Sequence, residues 1–176
     1  MSQLLVISAV GPDRTGVVHD LTQVVMKNDG NILESRMTAL GSEFAMLLLV
    51  SGHWHTISKL EQALDAFAEQ ADLKLSLRST SSKKGTSDKL PYACDLICMD
   101  QEGIVFNVSG FFSARSIEIA ELNTKSYAAA HTGTPMFNIQ ANLGVPNTLS
   151  IAQLREEFMQ FCDHMNIDGI LEPIKH

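Results

Sequence analysis

The sequence has no uninterrupted apolar run longer than Phe44 to Val50, far short of the ~20 residues a bilayer-spanning helix needs. No basic stretch precedes Leu4-Leu5-Val6-Ile7, and Gly11-Pro12 closes that run early, so an export signal is not expected and a cytoplasmic location is. Cysteine is scarce. The three present, Cys94, Cys98 and Cys162, form no Cys-x-x-Cys pair, and an odd number without an export signal predicts reduced thiols packed as small apolar side chains. Positive charge is short as well: 13 Lys and Arg face 20 Asp and Glu, a net charge of −7. That balance argues against direct reading of nucleic acid, where clustered cations supply most of the affinity. The one local exception is the serine-rich stretch Arg78 to Lys89, with Lys83 and Lys84 adjacent.

Chemistry-bearing motifs are missing too. No Gly-x-x-x-x-Gly-Lys phosphate loop occurs, and Val108-Ser109-Gly110 is not a Gly-x-Ser-x-Gly elbow. His53-Trp54-His55 could offer zinc two ligands, but no further pair lies nearby in sequence. His131 and Cys162 are residue types too common to define a nucleophile and its base without geometry. No catalytic residue, metal or cofactor is therefore expected, and the chain does not read as an enzyme.

What is present is a repeat. Asp13-Arg14-Thr15-Gly16-Val17-Val18 corresponds to Asp100-Gln101-Glu102-Gly103-Ile104-Val105, and at the same offset Ile32-Leu33-Glu34 corresponds to Ile119-Ala120-Glu121. After an insertion of several residues, Ile57, Leu60, Leu64 and Phe67 correspond to Ile151, Leu154, Phe158 and Phe161. Both series keep the spacing of one helical face.

Each copy reads as strand, helix, strand, strand, helix, strand, with a tight Leu40-Gly41-Ser42 turn in the first and an enlarged loop, Tyr127 to Pro135, in the second. The expected organisation is a module at 1–78, a polar Gly/Ser-containing linker at 79–90 and a second module at 91–176. The fold class is α+β, two tandem ferredoxin-like βαββαβ modules with antiparallel sheets. One module's bare sheet face and edge strand could be covered by another, by edge pairing or by packing face to face.

The turn Gly11-Pro12-Asp13-Arg14-Thr15-Gly16 joins the first strand to the first helix, where free backbone N–H groups and the helix dipole favour an anion. Such a seat suits the carboxylate of an amino acid, with Asp13 accepting from its ammonium group. On residue types alone a plainer alternative stands: Gly11, Pro12 and Gly16 shape a turn, and Asp13 or Thr15 caps the helix.

The Asp-Arg-Thr-Gly-Val-Val turn, followed by Gly30-Asn31-Ile32-Leu33-Glu34, resembles the hallmark of ACT domains, small amino-acid-sensing modules. Two such repeats with no attached enzyme are most similar to the glycine cleavage system transcriptional repressor family. The resemblance implies a tandem regulator that senses a small amino acid, glycine above all, and represses transcription by contacting a LysR-type activator without binding DNA itself. It also implies a ligand site formed by Gly11, Asp13, Arg14, Thr15, Gly16 and Val17, completed by Asn31 and Ile32 from a paired module, with homo-oligomers as a further possibility. Where copy one has Pro12, Arg14 and Asn31, copy two has Met99, Gln101 and Glu118, and Glu118 would repel a carboxylate. The alternative function is a detached regulatory subunit of an amino-acid biosynthetic enzyme, and a third is a scaffold.

Overall fold

The computed structural model describes residues 3–82 and 88–174, and the chain divides into two compact units, Met1–Lys84 and Gly85–His176. The first unit runs β1 (Gln3–Pro12), α1 (Val17–Lys27), β2 (Asn31–Leu40), β3 (Glu43–Gly52), α2 (Trp54–Ala71) and β4 (Lys74–Thr80). The second repeats the order as β5 (Lys89–Met99), α3 (Ile104–Ser113), β6 (Glu118–Ala128), β7 (Pro135–Pro146), α4 (Ile151–Met165) and β8 (Asp168–Pro173). Both sheets are antiparallel, ordered β2-β3-β1-β4 and β6-β7-β5-β8. The expected βαββαβ architecture is therefore present twice.

Strand alternation explains each sheet. In β1, Leu5, Ile7 and Ala9 are buried, and in β3 so are Phe44, Met46, Leu48 and Val50, because every second side chain points to one face. Onto that face pack Val17, Leu21 and Val25 of α1 and Ile57, Leu60 and Leu64 of α2, completing one apolar core. The second core carries more aromatic rings than the first at matching helix positions. Phe111 and Phe112 of α3 stand where α1 has Val24 and Val25, and Phe111 packs on Phe161 of α4 with ring centroids 4.8 Å apart.

The repeat extends to irregularities. β2 slips register between Ile32 and Glu34, and β6 slips between Ile119 and Glu121, the matching residues. The insertion falls in the β6–β7 connection. There the chain closes on itself, Ala129 N–H donating to Thr134 O at 2.9 Å and Gly133 N–H to Ala129 O at 2.8 Å, so the strands on either side keep the pairing of their counterparts.

β4 continues through Thr80, paired with Leu4, and β5 begins at Lys89, paired with Pro146. Strand thus occupies both ends of the stretch expected as linker, since backbone groups already aligned with β1 and β7 keep adding hydrogen bonds. Lys83 and Lys84, the centre of the local basic patch, lie outside the described residues. Among the described residues no helix is long and apolar enough to cross a membrane.

Candidate functional site

The β1–α1 turn leaves the sheet at the end where Pro12 pairs with Glu43. Gly11 is buried at its root: a Cβ there would sit 2.6 Å from Leu73 Cδ2 and 2.7 Å from Asp72 O, so only glycine lets this strand pass the α2–β4 connection. Val17 is core, at 2% exposure. Between them Pro12, Asp13, Arg14, Thr15 and Gly16 are all exposed. Asp13 N–H donates to Ser42 O of the β2–β3 turn at 2.9 Å, which anchors the loop. Arg14 Nη2 lies 2.8 Å from Asp20 Oδ2 in the first turn of α1.

Gly16 occupies the N-cap position of α1 with φ 91°, and no side chain caps the helix. The plainer reading, with Asp13 or Thr15 as the cap, fails here because a residue in the left-handed region fills the capping place and is a glycine. By contrast, α4 has Ser150 at its N-cap, and its side chain accepts from Gln153 N–H. The start of α1 therefore keeps first-turn N–H groups and the positive end of the dipole turned outward. Among the described residues the Asp13 carboxylate has no hydrogen-bond or ion-pair partner.

Asn31 and Ile32 are not part of this end of the unit. Asn31 pairs with Ser51, whereas the turn sits beside Glu43. Eight residues of β3 separate the two, roughly 26 Å of extended strand. Both are exposed on the edge strand β2, all ten of whose residues are exposed. A single unit thus brings together Asp13, Arg14, Thr15 and Gly16 and does not bring Asn31 or Ile32 to them.

The second unit repeats the backbone and changes the chemistry. Asp100 N–H donates to Pro135 O at 2.9 Å, as Asp13 does to Ser42, and Gly103 takes the N-cap of α3 with φ 77°. Its carboxylate, however, accepts from Ser126 Oγ at 2.6 Å; the matching residue of the first unit is Ala39. Glu118, the counterpart of Asn31, is held by Lys89, whose Nζ lies 2.5 Å from Glu118 Oε2. Neither Ser126 nor Lys89 stands out in the sequence until the two copies are aligned position by position.

Other groups weighed from sequence fall elsewhere. His53 is the N-cap of α2, with Trp54 exposed beside it, and among the described residues no three metal-ligating side chains converge. All three thiols are free and buried. Burial pushes Cys94 up to about 12 and Cys162 up to about 11, with the neighbouring Cys162 and Asp95 adding to the first and Asp163 and Asp168 to the second. Such thiols stay protonated, hence poor nucleophiles, at neutral pH.

Residues 3–78 match the family model of the ACT domain. Over 172 residues, 98% of this chain and 90% of the relative, the sequence is 26% identical to the glycine cleavage system transcriptional repressor of Escherichia coli (strain K12). A solved structure of an unknown protein from Galdieria sulphuraria superposes with a TM-score of 0.81 at 28% identity, covering 99% of this chain and 100% of the other. Another, provisionally named a glycine cleavage system transcriptional repressor, superposes with a TM-score of 0.73 at 29% identity, covering 100% of this chain and 99% of the other.

Proposed function

We propose, from the premise that residues 3–78 belong to the ACT-domain family and the whole chain is a homologue of glycine cleavage system transcriptional repressors, that this regulator senses a small amino acid at its first β–α turn. Glycine is the first candidate. Its carboxylate would rest on the open N–H groups at the start of α1 and its ammonium group on Asp13. The observation that carries the reading is the contrast between the two turns: Asp13 is open to a ligand, and Asp100 is already engaged by Ser126.

One turn is a small site. The helix dipole contributes only about 0.3 to 1 kcal/mol to an anion at an exposed terminus, so useful affinity needs further contacts. Asn31 and Ile32 supply them in this reading from a second module, because their own module holds them too far from the turn.

The output is repression through a protein partner, a LysR-type activator, without direct contact with DNA. The net charge of −7 supports an indirect route. Ligand would shift the balance between partner-binding and non-binding arrangements, which demands different affinities for the two states.

Calorimetric titration of the full chain with glycine, alanine and serine tests the sensing step. Saturable heat with glycine that weakens about tenfold or more in Asp13→Asn supports it; no binding at millimolar ligand to wild type removes it. Affinity capture from cell extract tests the output. Recovery of a LysR-type activator supports the repressor reading, and recovery of a biosynthetic enzyme in its place would make the chain a regulatory subunit.

A further inference from the structure

In each unit the sheet face away from the helices is built by the residues that alternate with the core. In the second unit the centre of that face is polar and internally satisfied, with exposed Ile97 and Ile170 towards its margin: Gln140 Nε2 donates to Asp95 Oδ1 at 3.1 Å, and Asn142 Nδ2 to Glu121 Oε2 at 2.9 Å. The residues matching Gln140 and Asn142 in the first unit are Leu47 and Leu49, flanked by Leu4 and Val6 of β1. Leu47 is 51% exposed and Leu33, in the β2 bulge, 53%. The polar centre of the second copy shows that the fold does not require leucines at these two positions. A contiguous apolar patch at the centre of this face, kept in the first copy and replaced by polar residues in the second, marks an interaction surface.

The charges around the patch identify what covers it. One row across the sheet runs Glu34, Leu49, Val6, Arg78, each residue paired with the next. It has a carboxylate at one edge, a guanidinium at the other and two apolar side chains between. A half-turn about an axis parallel to the strands, passing between β3 and β1, lays this row on a copy of itself. Glu34 then faces Arg78 and Leu49 faces Val6, each twice. The next row, Arg36, Leu47, Ser8, Ser76, sets Arg36 opposite Ser76, so no like charges meet.

The geometry points to an isologous, face-to-face dimer, in which this face of the first unit packs on the same face of a second copy of the chain. Stacked sheets lie about 10 Å apart and cross at roughly 30°. At the edge strands, about 7 Å from the axis, that crossing displaces facing groups by roughly 4 Å, which an arginine spans. Four strands over about seven residues each offer roughly 400 Å² a side, some 800 Å² in all and below the ~1,200 Å² of standard stable interfaces. The dimer is accordingly concentration-dependent. It is independent of the amino-acid site, which lies on the β1–α1 turn.

Sedimentation velocity of the full chain over a concentration series tests this, with circular dichroism confirming that each variant is folded. Wild type is expected to show a monomer–dimer equilibrium, and Leu49→Asp to abolish it. Glu34→Arg and Arg78→Glu, both exposed positions, should each weaken association about tenfold or more by setting like charges face to face. The double variant restores the opposite signs and should recover association to within about threefold of wild type. Within one chain these two residues sit on the outer strands, about 14 Å apart, so the recovery can arise only between copies. A monomer at every concentration, single variants that dimerise like wild type, or a double variant no better than the singles would each overturn the proposal.

Discussion

Ser126 Oγ donates to Asp100 Oδ2 at 2.6 Å, closing the second unit's turn aspartate, while Ala39 leaves Asp13 of the first unit without that donor. One hydroxyl separates a turn that is satisfied from one that is open. Ala39→Ser should therefore give Asp13 an internal partner and weaken amino-acid binding. Asp13→Asn should weaken it more, by about 10- to 100-fold, the ~1.5 to 3 kcal/mol of a hydrogen bond to a charged group. Calorimetry measures both. Unchanged affinity in Asp13→Asn would place the ligand elsewhere.

Gly16 and Gly11 should respond differently to alanine. At Gly16, with φ 91° and only Arg14 Nη1 at 3.9 Å from an added Cβ, an ordinary contact, backbone strain alone is added, roughly 1 to 2 kcal/mol. At Gly11 the new methyl meets a backbone carbonyl at 2.7 Å, so the β1–α1 turn must shift. Urea denaturation should show Gly11→Ala to be the more destabilised of the two; the reverse order would contradict the packing described.

The helix-facing core predicts a sharp contrast between two apolar residues. Leu60 is fully buried, and Met159 is 64% exposed. Leu60→Ala should cost about 2 to 5 kcal/mol, while Met159→Ala should stay within ~0.5 kcal/mol. Equal midpoints in chemical denaturation would refute the assignment of the two faces.

Alkali should destabilise the fold through its thiols. In the folded chain burial holds Cys94 up to about 12 and Cys162 up to about 11, whereas an unfolded chain gives up those protons near 8.5 to 9. The unfolded state then binds fewer protons than the folded one, so stability is complete below about pH 9 and falls as pH rises towards 12. Denaturation at about pH 8 and about pH 10.5 should show this loss, and Cys94→Ala should reduce it. An identical loss in the variant would assign the effect to other groups.

Much of the fold is legible in sequence because it rests on short-range patterns. Period-two alternation in β1 and β3 and the i, i+3, i+7 series of α2 and α4 give the elements, and the matching turns give the duplication. The glycines were legible too: Gly16 and Gly103 fall at the same place in each repeat, and both take the left-handed backbone that a side chain resists. The site was legible only in part. Asp13 and Thr15 could be named, but the capping role open to them in sequence went to Gly16.

The sequence by itself determined the order of elements, the repeat and the buried face of each helix, because these follow from local periodicity and from which residues leave water. Only the tertiary structure decided that Asn31 lies at the far end of the sheet from Asp13, that Ser126 and Lys89 engage Asp100 and Glu118, and that Glu34 and Arg78 end one row. Those relations depend on strand register, which joins residues distant in the chain through backbone hydrogen bonds, and a one-residue slip would turn every one of these side chains to the other face.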